Sequence, residues 1–256
     1  MLQKRVIPVL LFKGEGLVKG VQFKNHQYVG DPINAVQIFN AHDVDEILFL
    51  DITATAEGRI PDPQMIQRIA DQCLFPFGVG GGIRTLDDAR KILSSGAEKV
   101  CLNTYAFENP KLITEIAEIY GSQSVVVCID VEKSFFGKYQ VKTRSGKSNT
   151  KLSPVEAAKL VEKYGAGEIV IQSIDKDGQC EGYDIDLIRQ VADAVKIPVI
   201  AVGGAGNLDH MKVAVKEGHA SAVAAGSMFV FHGRRKAVLV NYPEPAALAA
   251  FHEETE

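Results

Sequence analysis

The sequence of 256 residues has no long apolar run, no large excess of either charge, and no cysteine or histidine pair at metal-ligand spacing. Each absence excludes a class. The longest apolar runs are strand-sized, so no membrane-spanning helix is expected. The opening MLQKRVIPVLL carries two positive charges, but its apolar run is short and no small-residue cleavage site follows, so no signal peptide is expected. Lys and Arg number 28 against 32 Asp and Glu, and a net charge of −4 with mixed signs argues against a general nucleic-acid or membrane surface. Cys73, Cys101, Cys128 and Cys180 show no C-x-x-C spacing, and Cys101 and Cys128 fall inside apolar strands, which fits reduced thiols in a cytoplasmic protein. The six histidines include no H-x-x-x-H pair, so no metal is expected, and nothing points to another cofactor.

What is present is a rhythm. Apolar runs at 5–11, 47–52, 77–80, 98–102, 124–130, 168–173, 198–202 and 221–226 predict strands, with helix-length amphipathic segments between them. Asp31-Pro32, Asp62-Pro63, Asn109-Pro110 and Ser153-Pro154 each set a capping side chain before a proline, and Glu156 completes a capping box with Ser153. Eight strand–helix units in a chain of this length are the pattern of a (β/α)8 barrel. An open doubly wound sheet has no reason to prefer eight units, and no G-x-G-x-x-G turn follows the first strand. The stretch FFGKYQVKTRSGKSN, 135–149, interrupts the rhythm after the fifth strand and reads as a β-hairpin inserted at the rim.

An internal repeat supports the barrel. A shift of 122 residues maps Glu46 onto Glu168, Pro76 onto Pro198, Gly81-Gly82 onto Gly203-Gly204, Leu86-Asp87 onto Leu208-Asp209 and Gly96 onto Gly218. The expectation is a single barrel domain over 1–256, built from half-barrels of about 1–122 and 123–256, since an isolated half would leave unpaired strand edges. The first strand, VIPVLL, aligns with the fifth, VVVCID, so that Leu11 in one copy stands where Asp130 stands in the other.

Barrel chemistry occurs where strands end and loops begin. Asp130 and Asp51 stand at such ends, where partial desolvation raises a carboxylate pKa towards a useful acid/base value; the alternative for each is a cap on its own loop. Gly80-Gly81-Gly82 and Gly203-Gly204-Ala205-Gly206 each run into a helix, and bare backbone N–H groups at a helix start suit an anion, although tight turns need glycine too. Two such loops on opposite sides suggest a ligand with a phosphate at each end. Asn103-Thr104 and Gly226-Ser227 would complete the two cradles, Asp177-Gly178 lies near the second, and Lys19 in the first loop is a candidate countercharge or simply a solvated lysine. At the opposite end, Arg5, Glu46, Lys99 and Glu168 fall near the starts of four strands. They form either a salt-bridged plug or a gate for a small polar molecule.

The motifs KRVIP, GDP, FLDITATAEG, VGGGIRT, KVCLNT, GSQSVVVCID, GAGEIVIQSIDKDG, EGYD and PVIAVGGAGN together resemble, over essentially the full length, the cyclase subunit of imidazole glycerol phosphate synthase. The resemblance implies a bis-phosphate ligand and a glutaminase partner docked on the floor of the barrel, with ammonia passing through the interior. It also implies that Arg5, Glu46, Lys99 and Glu168 form the ammonia gate. That family's chemistry uses two aspartates, ending strands one and five. Asp130 matches the second, and Leu11 replaces the first. Gln172 and Val202 stand where the family usually has threonine and serine. These departures imply a diverged paralogue that feeds ammonia to a separate sugar amidotransferase for amidino sugars of surface polysaccharide. The alternatives are an active cyclase of histidine biosynthesis and a phosphate-binding scaffold without catalysis.

Overall fold

The computed structural model describes residues 3–233 and 235–256. Eight parallel strands close on themselves: β1 (Val6–Lys13), β2 (Ile47–Asp51), β3 (Phe77–Gly80), β4 (Lys99–Leu102), β5 (Val125–Lys133), β6 (Glu168–Ser173), β7 (Val199–Val202) and β8 (Ala222–Ala225). Neighbours in sequence are neighbours in the sheet, β8 pairs with β1, and β5 with β6 completes the ring. Helices separate the strands, giving the (β/α)8 barrel expected from the rhythm.

The two-residue period of a strand sorts every barrel residue into lumen or shell. On β1, Val6, Leu10 and Phe12 join the apolar shell beneath the helices, while Ile7, Val9 and Leu11 face the lumen. On β5, Val125, Val127, Ile129 and Val131 belong to the shell, and Val126 and Cys128 to the lumen. Asp130 follows on the lumen side. Gly78 on β3 is glycine because the lumen is filled, as a Cβ there would stand 2.8 Å from Leu48 Cδ2.

The helix starts follow the capping chemistry at most of the marked sites. Asp31, Asp62 and Ser153 each accept a backbone N–H of the first turn, and Ser153 and Glu156 form the reciprocal box. Thr85 and Asp88 form a second box at the helix that leaves the first glycine loop. Asn109 differs, because the helix Lys111–Tyr120 begins one residue later, with Pro110 at its cap and no side-chain cap bond.

Two differences from the sequence expectation shape the rim. The segment after β1 is a pair of strands, Gly16–Val21 and Lys24–Gly30, rather than a loop, and Lys19 therefore sits in a strand. The later hairpin forms on β5 itself, whose extension Asp130–Lys133 pairs antiparallel with Tyr139–Thr143. Helix Pro245–Thr255 closes the chain, and Tyr242 just before it donates from its hydroxyl to the Val6 carbonyl at 2.8 Å. Among the described residues no helix is long and apolar enough to cross a membrane.

Candidate active site

Arg5, Glu46, Lys99 and Glu168 all carry lumen parity at the floor, and their charges alternate. Arg5 pairs with both Glu46 and Glu168. Lys99 Nζ reaches Glu46 at 2.9 Å and Glu168 at 2.8 Å. The result is a closed ring of four ion pairs. Burial opposes the charge on Glu168, but Arg5 and then Lys99 outweigh it, holding the carboxyl below the ordinary range. Arg5 is held above its ordinary range, its own burial outweighed by Glu168 and Glu46. Above the ring the lumen is apolar, lined by Ile7, Leu48, Val126, Val170, Ile200 and Ala222. Gln172 lies four residue steps along β6 from Glu168, so floor and rim are roughly 13 Å apart at about 3.3 Å per residue.

At the rim a cavity of about 550 Å³ opens. It brings together Lys19, Asp51, Gly81, Gly82, Asn103, Thr104, Asp130, Asp177 and Gly226, with Leu11, Gln172 and Val202 among them. Gly178, Gly203, Gly204 and Ser227 are not part of this lining. Asp130 is the cavity carboxylate without an ion-pair partner among the described residues. Burial, and then the charge of Asp177, push it up to about 7. Among the described residues its one side-chain hydrogen bond comes from Asn103 Nδ2 at 3.3 Å, the same amide that donates to the Cys128 carbonyl at 2.9 Å. Gln172 is its register neighbour on β6, and Leu11 takes the lumen position on β1 beside Leu50.

The other two carboxylates of the cavity are engaged. Asp51 Oδ1 accepts from the N–H groups of Thr53 at 2.9 Å and Ala54 at 3.0 Å, and Oδ2 accepts from Arg59 at 2.6 Å. This is the capping alternative, realised in full on its own loop. Asp177 holds Lys19 at 2.8 Å, so Lys19 is a buried partner in an ion pair rather than a solvated loop lysine.

Each glycine loop has a packing requirement of its own. Gly82 has φ +65, and a Cβ there would meet the Arg59 carbonyl at 1.8 Å. Gly204 would meet the Gly182 carbonyl at 2.1 Å. The turn and cradle readings are therefore compatible, because both demand the bare backbone.

Several lining residues lay outside the sequence reading. Lys13 ends β1, Phe23 and His26 come from the first pair of strands, and Arg144, Ser145 and Lys147 from the later hairpin. Arg144 docks that hairpin beside Asn103-Thr104, its N–H on Thr104 Oγ1 at 3.1 Å. Burial, followed by the charges of Lys19 and Lys13, holds His26 below its ordinary range. The hairpin at 135–149 was expected at the rim, but spacing does not single out its lining residues or those after β1, because antiparallel pairing brings them in from the side.

Fold and site define a (β/α)8 barrel with a charged ring at its floor and, at its rim, a glycine-rich cavity holding one aspartate without an ion-pair partner among the described residues. The histidine biosynthesis protein family model matches residues 5–235. Three relatives are named for subunits of imidazole glycerol phosphate synthase. A Vibrio vulnificus protein is 49% identical over 96% of this chain and 95% of its own. One from Pseudomonas aeruginosa is 48% identical over 95% and 97%, and one from Leptospira borgpetersenii 47% over 95% and 96%. The chain belongs to this histidine biosynthesis family, with the imidazole glycerol phosphate synthase subunits.

Proposed function

We propose that the chain is the ammonia-accepting synthase subunit of a glutamine-dependent complex, diverged from imidazole glycerol phosphate cyclisation. In this reading a glutaminase docks on the floor, ammonia crosses the apolar lumen, and a phosphorylated small molecule occupies the rim. The observation that carries it is the asymmetry between the two ends. The floor keeps a closed ring of alternating charges, whereas the rim has a hydrocarbon where proton exchange between two carboxylates needs the second one. An apolar filling would close a barrel floor with less desolvation than four charges, so a ring retained there favours a gate over a plug. Leu74, 84% exposed on the loop that leads into β3 from the floor, offers an apolar contact for the docked partner.

The reaction itself then passes to another protein. The ammonia would feed a separate amidotransferase forming amidino sugars, and Asp130 alone would handle what proton traffic remains. Active cyclisation is the second reading, and the family names of the relatives favour it.

The usual bis-phosphate nucleotide substrate, supplied with an ammonium salt, decides between the two. The expected imidazole product is at least about 100-fold below that of an ordinary cyclase, the lower end of what a lost general acid or base costs. Turnover within about tenfold of the ordinary enzyme would establish the second reading and refute the first.

A further inference from the structure

The segment after β8 forms a part of the rim that no motif above accounts for. Beyond the short helix Ser227–Val230, Phe231–His232 and Ala237–Val238 pair as a small antiparallel ribbon. It is tied down by the Leu239 N–H on the Val230 carbonyl at 3.0 Å and the Asn241 N–H on the Phe229 carbonyl at 2.9 Å. The turn of the ribbon carries Lys236 to the loop after β6, where its Nζ donates to the Gly178 carbonyl at 3.3 Å. A carbonyl accepts the hydrogen bond, but no carboxylate among the described residues pairs with the positive charge.

Three neighbouring features define what surrounds that charge. Lys19 lies against Gly226, where a Cβ would come within 2.8 Å of its Cε, and its ammonium is already matched by Asp177 at 2.8 Å. Gly178 follows Asp177 directly. Ser227, next to Gly226 and only 6% exposed, has a buried hydroxyl without a hydrogen-bond partner among the described residues. A buried hydroxyl left idle costs free energy unless something accepts from it. Two lysines, one carboxylate and one unused donor therefore meet around Asp177–Gly178 and Gly226–Ser227. The group has a net positive charge and lacks an acceptor.

We propose that Lys236 is the countercharge that grips a phosphomonoester end of the ligand at this second cradle, with Ser227 Oγ as a hydrogen-bond donor to the same group. The inference rests on the reading that the rim takes a phosphorylated ligand. A phosphomonoester carries between one and two negative charges near neutral pH. The Lys19–Asp177 pair sums to zero, so Lys236 adds an uncompensated positive charge directly beside Gly178. The ribbon thus delivers a cation to the loop after β6.

Inorganic phosphate, titrated into the full chain and followed through backbone amide resonances, tests this at each cradle separately. In the unmodified protein the amides of Gly82 and Asn103 report the first cradle, and those of Gly178 and Ser227 the second. Lys236→Ala should weaken the affinity read at Gly178 and Ser227 about tenfold, the loss of one charge-assisted contact, and leave that read at Gly82 within about twofold. Lys236→Arg should restore most of the loss, because it keeps the charge. Unchanged affinity at Gly178 and Ser227 in Lys236→Ala would overturn the role of Lys236 while leaving the phosphate reading in place. Absence of any response at either cradle of the unmodified protein would overturn both. An equal loss at both cradles would mark a fold-wide effect and likewise refute the assignment.

Discussion

Replacing Asp130 by asparagine removes a charge that the site holds at a cost, and the cost depends on pH. The carboxyl is raised from 3.8 to about 7, mainly by burial and secondarily by Asp177. Between those two values the folded protein binds more protons at this position than the unfolded chain, so stability falls as pH rises through the window and levels off above about 7. Each pH decade of displacement is worth about 1.4 kcal/mol, which sets a ceiling of roughly 4 kcal/mol; screening in the open cavity lowers the expectation to about 2. Asparagine is neutral throughout and escapes the penalty. Urea unfolding of Asp130→Asn and the parent, side by side from about pH 4 to about pH 8, should show near-equal stability at the acid end. The variant should then gain by about 2 kcal/mol at the alkaline end. A gap that stays constant within about 0.5 kcal/mol would refute the reasoning, as would a carboxyl carbon resonance titrating near its ordinary value. So would a gap that shrinks as pH rises, since it would mean that the carboxylate is stabilised by its surroundings.

Two further predictions concern the floor and the first cradle. Lys99→Met leaves Glu46 and Glu168, with side chains only 2% and 12% exposed, sharing Arg5 alone. Breaking a buried charge arrangement in this way should cost about 3–5 kcal/mol in chemical unfolding at neutral pH, and a loss below about 1 kcal/mol would mean the ring is solvated. Gly82→Ala drives a Cβ to 1.8 Å from the Arg59 carbonyl at a φ of +65, whereas Gly14 has the same φ with nothing within 4 Å. Gly14→Ala should therefore cost about 1 kcal/mol from backbone strain alone, and Gly82→Ala clearly more, with loss of phosphate response at the first cradle. Equal melting shifts for the two would show that the loop yields freely.

How far the sequence could be read follows from which forces were local. Barrel strands announce themselves because a run buried on both faces must be apolar throughout, and Asp31, Asp62 and Ser153 mark helix starts because the cap is made by the residue itself. The pair of strands after β1 was illegible for a definite reason. Its two-residue turn, Gln22-Phe23, has φ of 50 and 60, the left-handed geometry that Asn-Gly usually signals, and neither residue carries that signal. Missing the turn hid the strand, and with it the burial of Lys19, whose partner Asp177 is more than 150 residues away in the chain. Asp51 was ambiguous because a cap and a ligand-binding carboxylate occupy the same strand end, and only the positions of Thr53, Ala54 and Arg59 separate them. Lys236 could not be read at all, since a two-residue ribbon strand has no periodicity.

The same alternation that hid little of the barrel explains how one end can change while the other stays. On β6, Glu168 and Gln172 point into the same lumen, yet one completes a ring with Arg5 and Lys99 and the other stands beside Asp130. None of the ring's ion pairs involves Leu11, Gln172 or Val202, and the apolar layer of Val170, Ile200 and Ala224 lies between. Sites roughly 13 Å apart without shared partners contribute independently to stability. A hydrocarbon at position 11 therefore places no strain on the floor, and the floor's charges do not reach the rim. Strand parity keeps the two chemistries in register along one axis, and the apolar layer between them lets each be altered without cost to the other.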